Sequence, residues 1–155
     1  MNLNTYNKPN LELPEQSQYR LLCIVAITLI FVLSFKASAS KLKPFTTDGC
    51  SSFPDGTLNQ RDLFLPCCIR HDLAYWQGGS VAQRLQVDQA FSACIVSVGK
   101  PKLAKLMFLG VRVGGAPYLP TPFRWGYGWP YPKGYGKLTE AEMVQVNELT
   151  PEEFK

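Results

Sequence analysis

The sequence predicts a mainly α fold in which two long antiparallel helices, linked by disulfides, stand beside a cysteine-tethered loop. An irregular aromatic, glycine- and proline-rich C-terminal segment follows. Three observations predict this. Residues 62–98 carry helical periodicity and helix-terminus signals on either side of one short connection, Gln77-Gly78-Gly79. Four cysteines, Cys50, Cys67, Cys68 and Cys94, lie on or just before those helices. Residues 110–136 lack periodicity but contain Tyr118, Phe123, Trp125, Tyr127, Trp129, Tyr131 and Tyr135 among glycines and prolines.

Composition sets the class. Apolar residues make up 46% and charged residues 18%, which fits a globular chain. The formal net charge of +4 favours an anionic surface such as lipid headgroups. No block of Lys and Arg is dense enough to argue for nucleic acid, and a monomer is expected. Residues 1–39 read as a signal peptide: an uncharged run, 21–35, follows Arg20, and Ala37-Ser38-Ala39 supplies a small-x-small cleavage pattern. The run is short for a bilayer span, which needs about 20 apolar residues, although an uncleaved signal anchor is the alternative. Cleavage discards Cys23 and exports a domain of residues 40–155, secreted or periplasmic, with four cysteines for two disulfides. Cys67 and Cys68 are too close on a helix to pair with each other, which leaves two connectivities.

The elements follow in order. Residues 40–60 carry turn residues and read as a loop tethered by Cys50. A helix begins near Asp62 or Pro66, runs through Trp76 and stops at Gly78-Gly79. Ser80 with Gln83 forms a capping box for a second helix that ends before Gly99. Val81, Leu85, Phe91, Ile95 and Val98 form its expected buried stripe, with Arg84 and Gln89 on the solvent face. Asp88 falls within the stripe. A carboxylate there needs a partner, since unpaired burial costs several kcal/mol on the order of magnitude. Arg70 and Arg112 are the ordinary candidates. Lys102–Val113 reads as a short helix, 110–136 as an irregular loop or hairpin, and residues 139–150 as a polar helix opened by the Thr139–Glu142 capping box. The aromatic segment suits either a rigid cover for the core or a contact with the lipid interface.

The chemistry concentrates at Cys67-Cys68-Ile69-Arg70-His71-Asp72-Leu73-Ala74-Tyr75, which holds the only histidine. Antiparallel helices bring together residues whose numbers sum to a near-constant. If Cys67 bonds Cys94, His71 faces residues 88–91 and stands beside Asp88. Tyr75, one turn further on, shares that face. Asp72 lies about 100° round the helix, on the side of Cys68, and is aimed at the partner of Cys68. On that pairing the partner is Cys50, in a loop whose carbonyls with one carboxylate make a hard-cation site suited to calcium. His71 then activates water, oriented by Asp88, next to a cation that polarises a carbonyl.

These residues resemble the secreted phospholipase A2 superfamily, whose active-site helix reads Cys-Cys-x-x-His-Asp-x-x-Tyr. The match covers about Asp48 to Val98, a core of 48–98. The resemblance implies a phospholipase A2-like fold and calcium-dependent hydrolysis of the sn-2 ester of glycerophospholipids at a membrane surface. It implies water activation by His71, support from Asp88 and Tyr75, and calcium at Asp72 with the carbonyls of Gly49, Ser51 and Phe53. It also implies the pairs Cys67–Cys94 and Cys50–Cys68. The chain departs from the family at Ala74 and Val87, where cysteines usually stand; both halves of one disulfide are replaced together. The loop, Asp48 to Gly56, is less glycine-rich than the family's, and Asp55 is a further candidate ligand. The aromatic extension, residues 110–136, lies outside the common animal and plant pattern and suggests a separate microbial branch. Three alternatives stand beside this reading: a catalytically silent binding protein or toxin on the same fold, a membrane-anchored envelope protein retaining 21–35, and a zinc site from Cys67, Cys68, His71 and Cys94.

Overall fold

The computed structural model describes residues 40–155, so the signal-peptide and anchor expectations for 1–39 fall outside the described residues. The described residues form four α-helices: α1 Leu65–Gln77, α2 Val81–Ser97, α3 Pro101–Gly114 and α4 Glu140–Leu149. A short 3-10 turn, Glu152–Phe154, follows. No strand occurs among the described residues, and no helix there is long and apolar enough to cross a membrane.

Helix boundaries follow local chemistry. Pro66 sits in the first turn of α1, where a missing N–H costs nothing. Gly78, at φ 75, takes the left-handed conformation that ends the helix. The Ser80–Gln83 and Thr139–Glu142 capping boxes are both formed, each satisfying two orphan N–H groups.

Two disulfides close the frame, Cys67–Cys94 between α1 and α2 and Cys50–Cys68 between the loop and α1, with Cα separations of 5.8 and 5.0 Å. In a domain this small such links matter, each contributing roughly 3 kcal/mol by restricting the unfolded chain. All four thiols are committed to these bonds, so the tetrahedral zinc arrangement has no thiolate ligands left. The first disulfide fixes the register. Cys67 opposite Cys94, His71 opposite Asp88 and Tyr75 opposite Arg84 step along the α1–α2 seam in antiparallel order.

The apolar core forms in two parts. Phe64, Cys67, Cys68, Phe91, Ile95, Ala104 and Met107 fill the space among α1, α2 and α3. Leu42, Trp76, Trp129 and Val146 join the end of α1 to the leading segment, the aromatic segment and α4. The expected stripe on α2 is corrected at its first turns. Val81 and Leu85 are 56% and 40% exposed, whereas Arg84, placed on the solvent face by its charge, is 2% exposed. The inward face runs Arg84, Asp88, Phe91, Ile95, spacings of four, three and four residues. It is therefore a true helical face whose first half is polar, because the site it packs against is polar.

The aromatic segment is irregular, and its tryptophans have a structural task. The last four carbonyls of α1 lack helical partners. Gly78 N–H donates to Ala74 O, Gly126 N–H to Tyr75 O and Gly128 N–H to Trp76 O. Trp129 Nε1 reaches Gln77 O at 2.7 Å, and Trp125 Nε1 reaches Gly79 O at 2.9 Å. Buried Arg124 binds the carbonyls of Gly126 and Trp129 and holds the segment's own fold. Trp125 and Trp129 thus behave as the cover, while Tyr118 and Tyr131 remain 62% and 53% exposed.

Candidate active site

Asp88 is the centre of the site and is wholly buried. Its Oδ1 receives His71 Nε2 at 2.9 Å and Tyr75 Oη at 2.8 Å. Its Oδ2 receives Arg112 Nη1 at 2.7 Å, with Arg84 Nε 3.8 Å away. Burial alone would raise the Asp88 pKa, but the hydrogen bonds from His71, Arg112 and Tyr75 outweigh it and hold the carboxyl below its ordinary value. Ionised Asp88 only accepts, which assigns a proton to His71 Nε2, so that in the neutral imidazole Nδ1 carries the lone pair. The imidazole is clamped between Tyr75 and Phe91, ring centroids 4.2 and 4.5 Å away.

Tyr75 is held as tightly. It receives Arg84 Nε at 3.0 Å and packs edge-on against Trp125. Burial and the neighbouring Asp88 push its hydroxyl pKa far up, so it stays a neutral donor. A Cβ at Gly115 would stand 2.5 Å from the Tyr75 ring. The φ of −91 at this position suits any residue, so the conflict is purely steric. Gly115→Ala is expected to lower stability by about 1–3 kcal/mol, measured by thermal unfolding, because Tyr75 cannot yield without leaving Asp88.

Arg84 is the residue that sequence reasoning misplaced. Its Nη2 bonds the carbonyls of Val111 and Arg112, both at 2.8 Å, and its Nη1 bonds the Tyr135 hydroxyl. It ties α2 to the end of α3 and to the aromatic segment. The signal that could have found it is its position four residues before Asp88, an opposite-charge pair on one helix face.

On the other side of α1, Asp72 faces the loop. Thr47 Oγ1 donates to its Oδ2 at 2.6 Å. Burial, with a contribution from the like charge of Asp48 against the opposing Thr47 bond, pushes its carboxyl up to about 7. The loop turns through Gly49 and Ser51, both at positive φ, 74 and 54. Asp55 is a strut: its Oδ1 takes the Cys50 N–H at 2.8 Å, and its carbonyl takes the N–H groups of Phe64 and Leu65 at the start of α1. The Cys50 carbonyl is taken by Phe53 N–H, whereas the carbonyls of Gly49, Ser51 and Phe53 accept no hydrogen bond from any described residue. These unclaimed oxygens and the half-buried Asp72 carboxyl are hard-oxygen donors of the type calcium takes. No group of three or more His, Cys, Asp and Glu is gathered among the described residues, so a cation at the loop would rest on carbonyls as well as carboxylate.

His71, Asp72, Tyr75, Gly49, Ser51 and Phe53 all line one groove of about 220 Å³. Its far walls are apolar: Phe91, Met107, Val111 and Phe123. The two faces of α1 therefore open onto a single space. No family model, curated protein or solved structure matches the chain.

Proposed function

We propose that the protein is a phospholipase A2-type enzyme that hydrolyses the sn-2 ester of glycerophospholipids with calcium as cofactor. The observation that carries this reading is the sharing of one apolar groove by His71, braced on buried Asp88, and by Asp72 with the unclaimed loop carbonyls. The Cys67–Tyr75 motif, which resembles the active-site helix of secreted phospholipases A2, points the same way.

His71 Nδ1 takes a proton from a water in the groove as the water oxygen attacks the ester carbonyl carbon. Asp88 stabilises the imidazolium that forms, and Tyr75 keeps the carboxylate aligned. As the bond to the glycerol oxygen breaks, His71 returns its proton to that oxygen, releasing fatty acid and lysophospholipid. Asp72 and the loop carbonyls would hold the calcium, which would supply positive charge for the developing oxyanion. Phe53, Phe91, Met107, Val111 and Phe123 offer the acyl chain an apolar bed.

The surface around the groove suits a membrane. Gly110 and Gly114 of α3 line it, and the neighbouring Leu106, Leu109 and Val113 are 56%, 61% and 76% exposed. Three outward apolar residues on one helix, with Lys102 and Lys105 at its start, match a lipid surface carrying anionic headgroups. Tyr118 and Tyr131 offer amphipathic rings for the headgroup layer.

The test is release of labelled fatty acid from the sn-2 position of phospholipid vesicles, with calcium or with chelator. Hydrolysis is expected only with calcium, and Asp72→Lys is expected to lose at least about 100-fold. Chelator-insensitive hydrolysis would overturn the metal assignment. Binding to vesicles with no hydrolysis under any condition would instead favour the silent binding protein.

A further inference from the structure

We propose that Arg112 is a positioning residue for the His71–Asp88 pair, reaching from α3 to occupy Asp88 Oδ2 and so reserving Oδ1 for the imidazole. This rests on the reading of His71 as the base.

The two oxygens of Asp88 are divided between two kinds of donor. Oδ1 serves His71 and Tyr75, whereas Oδ2 serves Arg112 at 2.7 Å. A carboxylate held at one oxygen can turn about its broad, two-fold χ2 torsion. A second anchor at the other oxygen fixes its plane, and with it the hydrogen bond that orients His71. Arg84 does not fill this role: its Nε is 3.8 Å from Oδ2, and its donors go to Tyr75, Tyr135 and two backbone carbonyls. One of those carbonyls belongs to Arg112, so Arg84 holds the turn from which Arg112 projects.

Arg112 also sets how much negative charge the imidazole meets. Without Arg112 no cation would hydrogen-bond the carboxylate, since Arg84 stays 3.8 Å away, and more of its charge would fall on Oδ1 and the Nε2 proton. The Arg112 guanidinium draws part of that charge to the opposite oxygen. The charged and titratable groups about the pair come from every element packed there: Arg70, Asp72 and Tyr75 on α1, Arg84 and Asp88 on α2, Arg112 on α3, and Tyr135 behind Arg84. Of the two cations at Asp88, Arg112 is the more accessible, its side chain 28% exposed against 3% for Arg84. It can be replaced with less disturbance of the fold.

The single histidine makes the test direct, since any imidazole resonance belongs to His71. The ring N–H and both ring nitrogens are recorded by NMR at one fixed pH, without substrate, in wild type, Arg112→Gln and Arg112→Lys. The Nε2 proton is expected to move downfield in Arg112→Gln as Oδ1 gains charge, with the lysine variant in between. In hydrolysis, Arg112→Gln is expected to lower kcat about tenfold with KM changed less than about twofold, and Arg112→Lys to recover most of the loss. A folded Arg112→Gln whose ring resonances equal those of wild type overturns the proposal. Should that variant not fold, the lysine variant decides, and an unshifted ring N–H there overturns it. The resonances need no turnover, so absence of phospholipid hydrolysis would sink the functional reading and leave this measurement standing.

Discussion

Replacing His71 with Gln is expected to lower phospholipid hydrolysis by roughly 1,000-fold or more while changing stability little. The two halves of that result have separate causes. The glutamine amide nitrogen can donate to Asp88 Oδ1 much as Nε2 does, so the buried carboxylate keeps a partner in place of the 2.9 Å bond. The stacking against Tyr75 and Phe91 is lost in part, a packing change of about 1 kcal/mol. What glutamine cannot do is accept a proton from water near neutral pH. A loss of 1,000-fold corresponds to about 4 kcal/mol of transition-state stabilisation. The contrast, a folded protein whose thermal unfolding shifts by only about 4–8 °C and which shows no turnover, is measured by circular dichroism beside a titrimetric fatty-acid assay. A variant that kept activity within a few-fold would remove His71 from the role of base.

That residue could be picked out of the chain because several constraints met at one place. Helix period, antiparallel register and the Cys67–Cys94 link each limit which residues face one another, and together they bring His71, Tyr75 and Asp88 to one point. The Cys50–Cys68 bond likewise carries the loop to Asp72, since two adjacent cysteines on a helix must point to different neighbours. Local pattern was enough for the caps at Ser80 and Thr139 too, because a capping box is complete within four residues.

Arg84 was hidden for the opposite reason. An arginine on an amphipathic helix is ordinarily solvated, and only the convergence of Tyr75, Tyr135 and the end of α3 makes its burial favourable. Those partners lie up to 51 residues away, and the one local clue is Asp88, four residues on along the same helix face. The role of the tryptophans was also out of reach. Which N–H groups satisfy the last carbonyls of α1 depends on how residues 124–129 fold back on it, and irregular backbone carries no period to read. The loop lies between these cases: Cys50 fixes where it goes, but the turn through Gly49 and Ser51 decides which carbonyls are left unclaimed.

Asp88→Asn should have the second large effect, on stability as well as rate. The carboxylate is fully buried and accepts protons from the Arg112 guanidinium, the Tyr75 hydroxyl and the His71 imidazole, with the Arg84 guanidinium 3.8 Å away. An amide has one acceptor oxygen and one donor group, so whichever way it turns, an N–H meets either Arg112 or the His71–Tyr75 pair. The loss of charge also leaves Arg84 and Arg112 without a counter-ion at a buried position. Removing one partner of a buried ion pair costs about 3–5 kcal/mol, and that is the expected loss at neutral pH. The sign of the pH dependence follows from the depressed Asp88 pKa. The unfolded carboxyl titrates near 4, above its folded value, so the stabilisation is complete above about pH 4 and is lost as pH falls through the folded value. The stability gap between wild type and Asp88→Asn should therefore be constant from neutral pH down to about 4 and then narrow in acid. Denaturant unfolding of both proteins at several pH values measures it. A gap that stayed unchanged into strong acid would mean that Asp88 is not the ionised acceptor on which the His71 tautomer depends.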